Sequence, residues 1–281
     1  MKHHRPILII IIAVLIVCLV SIALIAILWK TLLLNFAENK FRVAFKGSSV
    51  RIGSRDITPG TLAFYDIDIT TKGQPFLKIK EFRLNFIIFY LIKDRAAEFF
   101  IEDAVVYAKL KIPEVRGLAR YTKGALALDN VSAQILNGVA EGGATIKPGK
   151  MPYYSVALKL KDIQLEKAVE VFQLSEKINA TGSASGSLEL SGEGFKLIGL
   201  KGKFEASPEG GMLTIKDKKW LDAIALYLKQ DVNMIVENFK NYHYNEGNAS
   251  LGLKETSIIV DVHLSGESGK RDLSISLHGF N

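Results

Sequence analysis

Residues 258–280 read IIVDVHLSGESGKRDLSISLHGF, two runs in which alternate positions are aliphatic, joined by a loop of Gly, Ser, Glu and Lys. Successive side chains of an extended strand point to opposite faces, so Ile258, Val260, Val262 and Leu264 share one face while Ile259, Asp261, His263 and Ser265 line the other. Leu273, Ile275 and Leu277 repeat the pattern and sit beside the first set in an antiparallel pair, with Ser274, Ser276 and His278 toward water. One sheet face is therefore apolar, and something must cover it.

The same alternation predicts strands at 41–46, 49–53, 62–70, 76–86, 98–112, 124–135, 141–147, 153–164, 182–191, 196–206, 211–215 and 248–254. It is cleanest in YYSVALKLKD, where Val156, Leu158 and Leu160 oppose Ser155, Lys159 and Lys161. In FLKIKEFRLNF the phase changes between Leu77/Ile79 and Phe82/Leu84/Phe86, and a bulge would restore a single apolar face. Helical periodicity is confined to 165–173, where Leu165, Ala168, Val169 and Phe172 fall together, to 217–229 with Trp220, Leu221, Ile224 and Leu228, and to a short stretch at 232–239. GVAEGGATIKPGK, 138–150, reads as a loop-rich waist. The expected organisation is an anchor over 1–30, a stem over 31–40, an N-terminal β region over 41–150 and a second β region with short helices over 151–281.

About a dozen strands at roughly 4.8 Å make a sheet about 58 Å wide, and three helices about 10 Å across cover only part of it. The rest of the apolar face must close into a barrel or sandwich, meet another protein, or hold an apolar ligand.

Residues 7–29, ILIIIIAVLIVCLVSIALIAILW, carry no charge. As a helix of about 23 residues they span about 35 Å, enough to cross a bilayer, and they exceed the apolar core of a cleaved signal peptide. Flanking charge does not orient the span: Lys2 and Arg5 precede it, and Lys30, Lys40, Arg42 and Lys46 follow. Three of the 36 Lys and Arg residues precede residue 31 and no acid does, so the remainder carries 33 bases against 29 acids, a net of +4. That mild balance, with no basic stripe interleaved with aromatics, argues against nucleic acid. The only cysteine, Cys18, lies in the span, so the domain has neither disulfide nor Cys-ligated metal.

Chemistry is sparse. In Gly182-Ser183-Ala184-Ser185-Gly186 the centre of a G-x-S-x-G pattern falls on Ala184, so no serine is presented as a nucleophile. No phosphate-binding glycine loop occurs. His243, His263 and His278 lack ligand spacing, and Asp66 and Asp68 read equally as a wet strand face. Neither an enzyme nor a cofactor is expected.

Residues 160–215 resemble a recurring unit of the AsmA-like superfamily: a strand, a short helix, a Gly-rich turn (Thr181 to Gly186), a strand ending in Leu188 and Leu190, then Phe204 and Ala206, a Gly210-Gly211 turn and Met212-Leu213-Thr214-Ile215. The continuation ENFKNYHYNEGNASLGLKETSIIVDVHLSGES looks like the C-terminal end of the YdbH-like, intermembrane phospholipid transport branch, with Phe239, Tyr242 and Tyr244 where that branch has a helix-to-strand element. The similarity covers about 120 residues from Leu160 onward.

The resemblance implies a bacterial inner-membrane protein with a periplasmic, elongated and open antiparallel sheet capped by short helices. Its hydrophobic groove would bind phospholipid acyl chains and contribute to transfer between membranes. About thirty methylenes at roughly 0.8 kcal/mol each set the cost of exposing one phospholipid at about 24 kcal/mol. The expected lining is Val156, Leu158, Leu160, Leu188, Leu190, Ile198, Leu200, Leu251, Leu253, Ile258, Val260, Val262, Leu264, Leu273, Ile275 and Leu277. A dozen strands reach only about 58 Å, so an envelope partner that extends the groove is expected. The alternative is a membrane-tethered structural or interaction module with a closed core and no lipid.

Overall fold

The computed structural model describes residues 35, 39, 48–58, 60–85, 96–149, 151–194, 196–229, 231–255 and 257–277. The span expected at 7–29, the strand expected at 41–46, Phe86 and His278 lie outside them, and of the stem only Asn35 and Asn39 are described, both helical. Among the described residues no helix is long and apolar enough to cross a membrane.

In chain order the elements are β1 (Ser48–Thr58), β2 (Thr61–Thr71), β3 (Gln74–Asn85), β4 (Ala96–Val106), β5 (Leu110–Thr122), β6 (Ala125–Ile135), β7 (Gly138–Lys147), β8 (Tyr153–Gln164), α1 (Leu165–Val171), β9 (Ile178–Ala180), β10 (Ser183–Glu193), β11 (Lys196–Ala206), β12 (Gly211–Ile215), α2 (Lys218–Leu228), α3 (Val232–Asn238), β13 (Tyr242–Tyr244), β14 (Glu246–Lys254), β15 (Ser257–Gly266) and β16 (Gly269–Leu277). Thirteen strands form one antiparallel sheet in the order β1 to β8, β10, β11, β14, β15, β16, and β13, β12 and β9 form a small second one. Among the described residues the large sheet has two edges, β1 and β16, which do not pair with each other, so these strands form an open sheet and not a barrel. At about 4.8 Å per strand it is roughly 62 Å wide.

Tight hairpins build the meander. Lys72-Gly73, Lys123-Gly124 and Leu136-Asn137 all have positive φ at both central positions, the geometry whose twist matches that of the flanking strands. The stretch 98–112 is not one strand: Tyr107 and Ala108, at φ 50° and 57°, turn the chain back into β5. Neither residue favours that conformation, and Pro113 and Gly117 hide the alternation of β5, which is why its second half escapes the sequence pattern. Gly138–Lys147 is no waist. It is β7, paired to β6 on one side and to β8 on the other, so the sheet runs without a break across residue 150.

The phase change expected in β3 has a different cause from a register-shifting bulge. Across the phase change the register is constant, with Phe64 opposite Phe82 and Ile67 opposite Ile79, and it shifts only further on, between Ile69 and Thr70. Pairing is skipped at one level across five strands, at Gly53, Asp66, Lys80, Asp103 and Pro113, with Asp66 and Asp103 at φ 52° and 50°. Every strand gains a residue at the same crease, so Ile67, Ile79, Ala104 and Ile112 stay on the face that carries Phe64, Phe82, Ile101 and Val115. Val50, Phe64, Ile67, Ile69, Ile79 and Ala104 are buried there as one core.

The second core lies under the helices. Asp217 caps α2, accepting from the backbone N–H of Lys219 at 2.8 Å, and Asp231 caps α3 through the N–H of Asn233 at 2.8 Å. Trp220, Leu221 and Ile224 of α2, Ile235 of α3 and Leu165 and Val169 of α1 pack with Leu213, Ile215, Phe239, Tyr242 and Tyr244. Phe172 departs from the expected helix face and is 65 % exposed, because α1 ends at Val171.

Candidate functional site

Cross-strand register assembles the apolar face in rows. Leu158 lies opposite Gly142 and Leu188; the row continues through Gly202, Leu251, Val260 and Ile275. A parallel row runs through Ala144, Val156, Leu190 and Leu200, and a third through Ala140, Leu160, Gly186, Phe204, Ala249, Val262 and Leu273. Val156, Leu158, Leu160, Leu188, Leu190, Leu200, Leu251, Leu253, Ile258, Val260 and Ile275 are each half-buried. A sheet face inside a closed sandwich hides such residues fully.

Five of the expected lining residues stand apart. Leu264 and Leu273 are buried in the core beneath the helices, and Val262 packs against it, so the cap closes this end of the face. Ile198 is 44 % exposed, because the register shift between Ser191 and Gly192 puts Leu197, not Ile198, opposite Gly192. Leu277 sits at the end of β16, opposite Ile258.

Sequence alternation alone missed much of the face. Leu126, Leu128, Val131 and Ala133 of β6 and Ala140, Gly142 and Ala144 of β7 continue it. The signal in β7 is weak because the inward positions are Gly and Ala. Their smallness is enforced by the neighbours: a Cβ on Gly142 would stand 2.0 Å from the carbonyl oxygen of Ala157. On the same face, aromatic rings lie over glycines, Phe99 over Gly117 and Phe204 over Gly186 and Gly202. The rings lie along the sheet and fill the floor that the glycines leave bare.

The opposite face is polar and held by cross-strand ion pairs. Asp68 accepts from Arg51 at 3.0 Å and faces Lys78 at 3.6 Å, so it is engaged structurally, while Asp66 sits in the crease. Lys161 pairs with Glu141 at 2.7 Å; the lysine holds Glu141 below the usual carboxylate value and is itself raised. Lys80 and Glu102 shift one another in the same way. These pairs are exposed, so solvent screens them and they contribute little to stability. Glu81 is the exception at 7 % exposure, with Arg83 donating to its carboxylate from Nε at 2.8 Å.

Two open depressions of about 580 and 770 Å³ lie on this polar face. The larger is bordered by Lys159, Lys161 and Lys203 but also by Asp162 and Glu205, so it has little net charge. His263 at its rim contacts Asp272, Nδ1 to Oδ1, at 2.7 Å. Among the described residues no group of three or more His, Cys, Asp or Glu is arranged to hold a metal. Ser183 and Ser185 are strand residues bonded to Ser207 and to the Asp162 backbone, not a nucleophile on a strand-to-helix turn.

Burial raises the phenol of Tyr244 to about 12, with the negative charge of Glu166 adding to the effect. Its hydroxyl donates to the Thr181 carbonyl at 2.7 Å, and that of Tyr242 donates to the Gly269 carbonyl, which ties the cap to the main sheet. What this architecture offers is an extended apolar surface backed by a polar one. No protein-family model, curated protein or solved structure matches this chain.

Proposed function

We propose that this is a single-pass bacterial inner-membrane protein, anchored by residues 7–29 with its β domain in the periplasm, that binds phospholipid acyl chains on the apolar face of its sheet and contributes to lipid transfer between membranes. The observation that carries the reading is the half-buried state of the aliphatic rows through Val156, Leu158, Leu188, Leu190, Leu200, Leu251 and Val260, beyond the end of the face that the helical cap closes. Covering it with hydrocarbon removes apolar area from water at about 25 cal/mol per Å² and asks for no catalytic group. The resemblance of residues 160–281 to AsmA-like proteins points the same way.

A photoreactive amino acid tests this at two consecutive positions. At Leu158 it is expected to label phospholipid in cells, and at Lys159, one residue away on the other face, it is not. Equal labelling, or none at Leu158, overturns the reading.

A second reading, a tethered structural module without lipid, is favoured by one feature. The apolar face holds buried cores over β1 to β4 and beneath the helices, and the open depressions lie on the polar side. In that case neither position labels lipid.

A further inference from the structure

The two edges of the large sheet differ. β1 is blunted: its ladder skips at Gly53, and Arg51, Arg55 and Asp56 lie along it. Charges and broken pairing are the usual defence against strand addition. β16 has neither. It pairs with β15 through nine consecutive positions, from Ile258 opposite Leu277 to Gly266 opposite Gly269, with no shift of register. Residues 273–277 contain no charge, proline or glycine, and among the described residues no strand pairs with the outer side of β16. A regular edge strand whose last five residues carry no charge is a template for another strand.

The sequence of that edge names its partner. Residues 273–277 read Leu-Ser-Ile-Ser-Leu, a palindrome centred on Ile275. In an antiparallel pair about a two-fold axis through Ile275, position 273 faces 277 of the other copy, 274 faces 276, and 275 faces itself. Leucine meets leucine and serine meets serine, so both the apolar and the polar face continue across the junction. The charged residues Lys270, Arg271 and Asp272 fall outside the palindrome. In this register residue 270 of one copy lies ten positions along the strand from residue 270 of the other, about 34 Å away, well beyond a Debye length of about 10 Å.

We propose that β16 pairs with β16 of a second copy of this chain, two-fold about Ile275, joining two 13-stranded sheets into one. The apolar rows that end at Ile275 then run on into the partner's rows, and the joined sheet is about 125 Å wide. The pairing does not depend on what covers the apolar face.

The test uses the full chain in detergent micelles, with Cys18→Ser removing the natural thiol. Ile275→Cys is expected to give a symmetric disulfide dimer on mild oxidation, since directly opposed residues of antiparallel strands bring Cα atoms to about 4.5–5.5 Å, and Ser54→Cys at the other edge is not. By sedimentation the unmodified chain is expected at twice its 31.0 kDa mass. The double variant Ser274→Lys/Ser276→Lys sets lysine against lysine and is expected to associate at least tenfold more weakly, and mixing it with Ser274→Glu/Ser276→Glu is expected to restore a dimer of the two. A monomer at every concentration with no crosslink at 275, a crosslink between 275 and 54, or a charge-matched mixture that fails to pair would each overturn the proposal.

Discussion

The ring of Phe204 on β11 lies over the backbone of Gly186 on β10, its directly opposed partner: a Cβ at Gly186 would stand 2.8 Å from Phe204 Cδ1 and 2.1 Å from the carbonyl oxygen of Lys203. Glycine in a strand interior weakens the strand, so its presence here marks a close approach. Gly186→Ala is therefore expected to lower the chemical denaturation midpoint by an amount corresponding to about 1–3 kcal/mol. Gly252, on β14, has open space where its Cβ would be. Gly252→Ala is expected to be neutral or slightly stabilising, through loss of freedom in the unfolded chain. Equal effects at the two sites would contradict the ring-over-glycine packing.

Leu251 and Ser250 are neighbours on β14 with opposite fates: the leucine is half-buried in the apolar row, and the serine is exposed on the polar face opposite Lys203 and Asp261. Leu251→Asp places a carboxylate among aliphatics and is expected to cut labelling by a photoreactive phospholipid about tenfold. It should cost only about 1–2 kcal/mol of stability, because the position is partly open already. Ser250→Asp is expected to leave labelling unchanged, with circular dichroism confirming that both variants fold.

The large-sheet strands from 153 onward were legible in the sequence because their inward positions are mostly Val, Leu and Ile and their outward ones Ser, Lys and Asp, whereas the three-residue strands β9 and β13 are too short to show alternation. Val156, Leu158 and Leu160 announce their face by alternation alone, and the helices at 165, 218 and 232 by their period. β7 was legible as a strand only from residue 141, and its stretch also read as a loop-rich waist, because Gly138, Gly142 and Gly143, which suggest a loop, serve there to let backbones approach. The crease across β1 to β5 was half visible, as a phase change in β3, but a single strand cannot reveal that its neighbours change phase at the same level. Leu264 and Leu273 belong to the right face, yet only tertiary structure places the cap over them.

Arg271 fastens the cap to the sheet edge. Its guanidinium lies 5.0 Å from the Tyr242 ring centroid, and Nη2 donates to Asn238 Oδ1 at 3.1 Å. A partly desolvated cation–π contact contributes about 1–2 kcal/mol. Arg271→Ala is expected to speed hydrogen exchange of the Val232–Asn238 amides about tenfold while those of β10 and β11 keep their protection. Arg271→Lys should recover little, since an ammonium lacks the planar fork that reaches ring and amide together.

Tyr244 gives the cap a specific alkaline limit. Its phenol is held at about 12 by burial, above the ordinary value of 10.0 that it takes in the unfolded chain. Below pH 10 both states keep the proton, so stability is unaffected. Between pH 10 and 12 the unfolded chain gives up the proton first, and the folded state loses stability, reaching about 3 kcal/mol if the full shift is realised. Tyr244→Phe removes this titration along with the hydroxyl's bond to the Thr181 carbonyl. The variant is therefore expected to be less stable at pH 8 by about 1 kcal/mol, and the gap to the natural protein should narrow as pH rises past 10. Urea midpoints at half-unit steps from pH 8 to 11.5 measure both curves. Parallel curves would mean that the phenol ionises as easily in the fold as in water and that the core beneath α1 to α3 is wet.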